Sequence, residues 1–198
     1  THAFGARTRT PMNLGQRTKF LLLLGVFALP VAAAYLAYFG WRPDTHGNYG
    51  ELLPPAPLTA TAGRTNAGQA YDLDQLKGRW IMVHVGPAAC DARCANLLYL
   101  MRQTRIAQGK EQSRIARLWV VDDGGAPTAR VLERHVDLVV WRPASPDFSA
   151  QFGAAGGRGA HIYLVDPLGN LMLRFPADPD AKKIMKDLKL LLKASQVG

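Results

Sequence analysis

The chain has 198 residues, 48% of them hydrophobic and 20% charged, which excludes an intrinsically disordered protein and allows one anchor plus one domain with its own core. Its net charge of +9 invites a nucleic-acid reading, but the distribution argues for no nucleic-acid partner. Arg7, Arg9, Arg17 and Lys19 precede an apolar stretch, no acid occurs among the first forty residues, and the remainder carries only +5 with no RNA- or DNA-binding motif.

Residues 1–19 form a basic N-terminus and residues 20–40 a transmembrane helix. Phe20 to Phe39 reads FLLLLGVFALPVAAAYLAYF, about twenty residues without a charge, the length that a bilayer core demands. The basic flank places the N-terminus in the cytoplasm, and Tyr35, Tyr38, Phe39 and Trp41 belong to an interfacial aromatic belt at the other end. Pro30 is tolerable within a membrane helix. A cleaved signal peptide is the rival, with VAAA before Tyr35 as its cleavage site, but the apolar run continues too far for a signal core. The expected arrangement is a single pass through the inner (cytoplasmic) membrane, with the lipid bilayer as partner and the C-terminal domain in the periplasm.

Residues 41–70, rich in Pro, Gly, Thr and Ala and including Leu53-Pro54-Pro55-Ala56-Pro57, read as an extended tether. The globular pattern occupies residues 71–198. Trp80 to Gly86 (WIMVHVG) is a buried strand, and Cys90 to Gln108 is a helix with Leu97, Leu98, Met101 and Ile106 at helical spacing. Arg117 to Val121 (RLWVV) is a second buried strand. Thr128 caps a helix running to about His135, and Leu138 to Trp141 is a third strand. A loop spans Pro143 to Gly159. Ala160–Val165 and Leu171–Phe175 flank the turn residues Asp166-Pro167-Leu168-Gly169-Asn170, a hairpin. Asp178-Pro179 supplies an N-cap and N1 pair for a last amphipathic helix with Ile184, Met185, Leu188, Leu191 and Leu192 on one face. Strand, helix, strand, helix, strand, hairpin, helix is the order of an α/β thioredoxin-like sandwich, here preceded by one transmembrane helix.

Cys90 and Cys94 form C-x-x-x-C where a buried strand passes into a helix. The spacing places both sulfurs on one helical face. Cys90, read in the first turn, gains thiolate stabilisation from free N–H groups and the helix dipole, as metal binding and thiol–disulfide exchange both require. The alternative is a pair of inert, buried cysteines.

Gly78 to Gly86 (GRWIMVHVG), followed by Cys90-Asp91-Ala92-Arg93-Cys94, is similar to the Sco/SenC family of copper-binding cytochrome c oxidase assembly proteins. Leu118 to Asp122 (LWVVD) and Ile162 to Gly169 (IYLVDPLG) resemble that family's next strand and late hairpin, so the likeness runs from about Leu73 to Lys193. The resemblance implies copper as cofactor, Cys90, Cys94 and His161 as its ligands, and cytochrome c oxidase or another respiratory-complex subunit as partner. The sequence departs from the family where Asp91 and Ala95 replace the prolines that follow the cysteines. It departs again at Arg158, which stands where the family has its copper-binding histidine; His161 lies a few residues later. His84 and His135 are further candidates, and both suit packed, structural histidines better. Two other functions remain open. One is a non-catalytic thioredoxin-fold subunit or scaffold of a respiratory complex with a structural disulfide. The other is a thiol–disulfide reductase with Cys90 and Cys94 as its catalytic redox pair.

Overall fold

The computed structural model describes residues 14–40, 48–153 and 157–195. Arg7, Arg9, Trp41 and the first part of the expected tether, to residue 47, lie outside them. The chain divides into two compact units, residues 1–46 and 47–198.

Among the described residues the first unit holds one helix, α1 (Leu14–Gly40), of 27 residues. Its stretch Gly15–Leu36 is long and apolar enough to cross a membrane. At 1.5 Å per residue the helix is about 40 Å long, more than a hydrocarbon core of about 30 Å. From residue 15 to 36 its side chains are exposed, with Phe27 71% and Leu36 73% accessible, the opposite of a helix in a soluble core. The helix starts at Leu14 rather than at residue 20, so Arg17 and Lys19 lie within it. Both are good helix formers, and their long stems accommodate an apolar neighbourhood.

The second unit is a sheet of eight strands: β1 (Glu51–Pro57), β2 (Ala62–Thr65), β3 (Ala70–Asp72), β4 (Trp80–Gly86), β5 (Ile115–Val121), β6 (Leu138–Pro143), β7 (Tyr163–Val165) and β8 (Asn170–Arg174). Among the described residues four α-helices accompany it: α2 (Ala92–Ile106), α3 (Ala129–Arg134), α4 (Asp147–Ala150) and α5 (Ala181–Ala194). The strand order is β1-β8-β7-β4-β5-β6-β2-β3. The pairs β4–β5 and β5–β6 are parallel, and the others are antiparallel. The thioredoxin-like α/β class expected from the sequence is the class observed.

β4 is central and buried on both faces, which explains its unbroken apolar sequence. Trp80 and Met82 point to one side, where they pack with Leu97, Leu98 and Met101 of α2 and Ile184, Leu188 and Leu192 of α5. Ile81, Val83 and Val85 point to the other, against Leu73, Leu76, Phe148, Phe152 and Tyr163. Ile106, expected on the apolar face of α2, is instead 46% exposed at the end of the helix.

The segment read as a structureless tether departs furthest from expectation. From residue 51 onward it supplies β1, β2 and the start of β3, which extend the sheet at both edges. Proline removes a ladder donor, and an edge strand with a register shift, as β1 has between Leu52 and Ala56, is where a sheet tolerates that loss. On the opposite edge, a Cβ at Gly63 would overlap the Arg142 carbonyl and the Trp141 ring, so only glycine lets β2 pass there. The incoming chain is also pinned from the far end of the sequence. Buried Asp187 on α5 accepts the backbone N–H groups of Tyr49 (2.8 Å) and Gly50 (2.9 Å).

Two smaller differences follow from local chemistry. The loop from 143 to 159 contains α4 and a 3-10 turn at Arg158–Ala160. α5 is capped by Asp180, which accepts from the N–H groups of Lys182 and Lys183, and not by Asp178. Pro179 is buried just before that cap. The hairpin turn behaves as read: Asp166 accepts from the N–H groups of Leu168 and Asn170, and Gly169 takes a positive φ of 93°.

Candidate functional site

β4 ends at Gly86, and the Pro87–Ala89 turn delivers the chain to the head of α2 past the C-terminal edge of the parallel strands, the usual location of sites in such sheets. Asp91 is the N-cap of α2, and its Oδ1 accepts the Cys94 N–H at 2.8 Å. Cys90 therefore precedes the cap and does not lie in the first turn, which corrects the sequence-based expectation. Cys94 holds the third helical position. The two cysteines form a disulfide with their Cα atoms 5.2 Å apart. Cys94 is buried, 6% exposed, whereas Cys90 is partly exposed. The departure from proline at residue 91 has a physical reason: proline has no side-chain acceptor, and Asp91 closes the helix start itself.

The loop after β5 braces this turn. Asp123 Oδ1 accepts the Ala88 N–H at 2.9 Å, and the Asp123 carbonyl accepts from Arg142 at 2.7 Å. Arg158 donates through Nε to Asp122 at 3.0 Å. The guanidinium at the family's histidine position is thus half of an ion pair with the loop beside the disulfide, and it offers no lone pair to a metal.

His161 is buried, and its Nδ1 donates to the Phe175 carbonyl at 2.8 Å. In the neutral ring that places the acceptor lone pair on Nε2. Among the described residues no three His, Cys, Asp or Glu side chains converge to hold a metal ion. His84 lies on β4 with Nδ1 facing the His161 carbonyl at 3.5 Å. Burial pushes its pKa down, partly opposed by that carbonyl and by the Asp91 and Asp122 carboxylates. His135 closes α3 and faces Arg117 Nη1 at 3.4 Å. Burial and then the Arg117 and Arg102 charges hold its pKa below the ordinary value.

Behind His135 lies a charge cluster that sequence reading missed. Buried Arg117 on β5 pairs with Asp137, which also takes Arg105 at 2.5 Å. Burial alone would raise the Asp137 carboxyl, but Arg117 and Arg105 bring it below its usual value. An arginine opening an otherwise apolar strand motif, RLWVV, was the only available signal. A groove of about 580 Å³ runs from Cys90 along α2 to α3 and His135.

A disulfide bridging the entry to the first long helix, between partly exposed Cys90 and buried Cys94, beside a central parallel strand pair, belongs to a thioredoxin-like domain. Residues 80–195 match the family described as transmembrane-like, thioredoxin-like, C-terminal domain, and the chain belongs to that family. No curated protein matches the sequence. Among solved structures, the fold resembles apo Sco1 from Thermus thermophilus, at 20% identity over 75% of this chain and 99% of that one, with a TM-score of 0.58. It also resembles yeast Sco1 with copper bound, at 14% identity over 72% and 92% of the two chains, TM-score 0.58. The thioredoxin domain of a thiol-disulfide oxidoreductase from Bacteroides vulgatus aligns at 17% identity over 72% and 96%, TM-score 0.50. At these identities the likeness is one of fold.

Proposed function

We propose that this chain is a membrane-anchored, Sco-like accessory protein for assembly of a haem–copper oxidase, working through Cys90 and Cys94. The observation that carries the reading is the accessible–buried cysteine pair at the head of α2 in a fold shared with Sco1 structures, one of them copper-bound. On this reading residues 20–40 span the inner membrane, residues 1–19 stay in the cytoplasm, and the domain works in the periplasm.

The disulfide must open before the sulfurs can act. A thiolate of a dithiol partner attacks Cys90 Sγ, the accessible sulfur. Cys94 departs as thiolate at the start of α2, where N–H groups and the helix dipole stabilise it. The partner's second thiol then displaces Cys90, so the partner leaves as a disulfide and this chain holds two reduced sulfurs. Those two soft thiolates suit Cu(I) as cargo. His161 is the candidate third donor. Its Nδ1–H is already fixed by the Phe175 carbonyl, the arrangement that orients ligating imidazoles through the other nitrogen.

A second reading, a thiol–disulfide reductase, is favoured by the bonded sulfurs and by the lack of a three-donor cluster among the described residues. Titration of the reduced full chain with Cu(I) separates the two. The assembly reading expects about one Cu(I) per chain, lost in Cys90→Ser or Cys94→Ser and weakened in His161→Ala. No copper above background, with dithiol exchange intact, transfers the function to the reductase. Neither activity would leave a scaffold with a structural disulfide.

A further inference from the structure

The groove beside the disulfide carries a strong and one-sided charge. Arg102 of α2 and Arg130 and Arg134 of α3 line it, all exposed, and none of them takes part in an ion pair among the described residues. Its one carboxylate is Asp91, which caps α2 beside Cys90 and keeps its charge, so the lining sets three arginines against one carboxylate. The Arg105–Arg117–Asp137 cluster behind His135 adds a further net positive charge. Tyr99, 53% exposed, gives an apolar surface midway, and Cys90 stands at one end.

We propose that this groove docks an acidic polypeptide segment of the partner that exchanges with Cys90. The inference rests on the proposed function for the identity of Cys90 as the reacting sulfur, and it adds the chemical class of the partner. The three guanidinium groups are spread along two helices, so they fit a row of carboxylates better than one phosphate. From Ala92 to Arg102 the α2 side covers about 15 Å at 1.5 Å per residue, the length of four or five extended residues. A protein segment is the ligand that brings both carboxylates for the arginines and a thiol for Cys90. Complementary charge of this kind raises encounter rates and screens out wrong partners.

The test uses the full chain in neutral detergent and two synthetic dithiol peptides, one flanked by Asp and Glu, the other by Gln. Stopped-flow reduction of the Cys90–Cys94 disulfide should run roughly tenfold faster with the acidic peptide at low ionic strength, a gap that closes as salt shortens the Debye length. In the triple variant Arg102→Glu, Arg130→Glu, Arg134→Glu the preference should vanish or invert, with Arg→Gln at the same positions intermediate. Reduction by dithiothreitol, whose attacking thiolate carries a single charge, should change far less across the variants than reduction by the acidic peptide, and it reports an intact site. An acidic preference that survives charge reversal, or no preference in the wild type, overturns the docking groove. If dithiothreitol cannot open the disulfide at all, the exchange reading fails. The groove is then judged alone, by fluorescence anisotropy of the acidic peptide with serine in place of cysteine. Binding lost on charge reversal sustains the groove, and no binding to the wild type overturns it.

Discussion

Asp91 sits between the two cysteines in sequence and serves both the helix and the sulfurs, and two substitutions separate these roles. Its Oδ1 accepts the Cys94 N–H at 2.8 Å, so Asp91→Ala removes the cap and leaves that donor to water. Loss of an N-cap costs about 1 kcal/mol, within a range of roughly 0.5–2, and in a domain of this size that lowers Tm by about 2–4 °C. Asp91→Asn keeps an acceptor of equal rank, so its stability should change by less than about 0.5 kcal/mol. The charge acts separately. A carboxylate in the residue next to Cys90 opposes a thiolate there by roughly 1 kcal/mol at water-like screening. Removing it should speed alkylation of the reduced pair at neutral pH about fivefold in both variants. Urea denaturation of the oxidised protein and iodoacetamide kinetics of the reduced protein give the two readouts. Equal stability of Asp91→Ala and wild type would refute the cap. An unchanged alkylation rate in Asp91→Asn would refute the electrostatic role.

The remaining predictions concern pH and topology. Burial lowers the pKa of His84, so the folded chain binds that proton less tightly than the unfolded chain, whose value is 6.5. Stability should be full above pH 6.5 and fall as pH drops below it, and His84→Gln should flatten the fall measured by urea midpoints between pH 8 and 5.5. A wild-type midpoint that does not move across that window would refute it. For the anchor, a reporter fused after Gly198 should be active only when its enzyme requires the periplasm, given the basic flank before α1. Activity of a cytoplasm-only reporter at that position would reverse the proposed orientation.

The parts of the fold that sequence made legible are those whose signal is local. β4, β5, the hairpin and α5 announce themselves through period and turn chemistry: both faces of β4 are buried, and Asp166 organises its turn within four residues. The strands before residue 70 were hidden because their reason for pairing is distant. β1 pairs with β8 more than a hundred residues later, and its prolines cancel the propensity that a strand reading relies on. Asp187 looks like one more polar residue on an amphipathic helix until Tyr49 and Gly50 arrive to be capped by it. Tertiary contacts decided these elements, and a single sequence does not display them.

The same division runs through the candidate site. The C-x-x-x-C pair stood out because chance seldom leaves two cysteines at a strand-to-helix junction, whereas reading the helix from Cys90 hides the cap at Asp91. The donor set was less legible, since it depends on the conformation of the loop before β7. There Arg158 reaches across thirty-six positions to Asp122, while His161 turns its Nδ1–H onto the Phe175 carbonyl. A guanidinium has no lone pair to offer and its charge opposes a nearby cation, so Arg158 braces the loop next to the disulfide and is no metal ligand. On the copper reading, His161 is the candidate third donor. On that reading the disulfide must be reduced before the thiolates can ligate, so the redox state of the pair would gate metal binding.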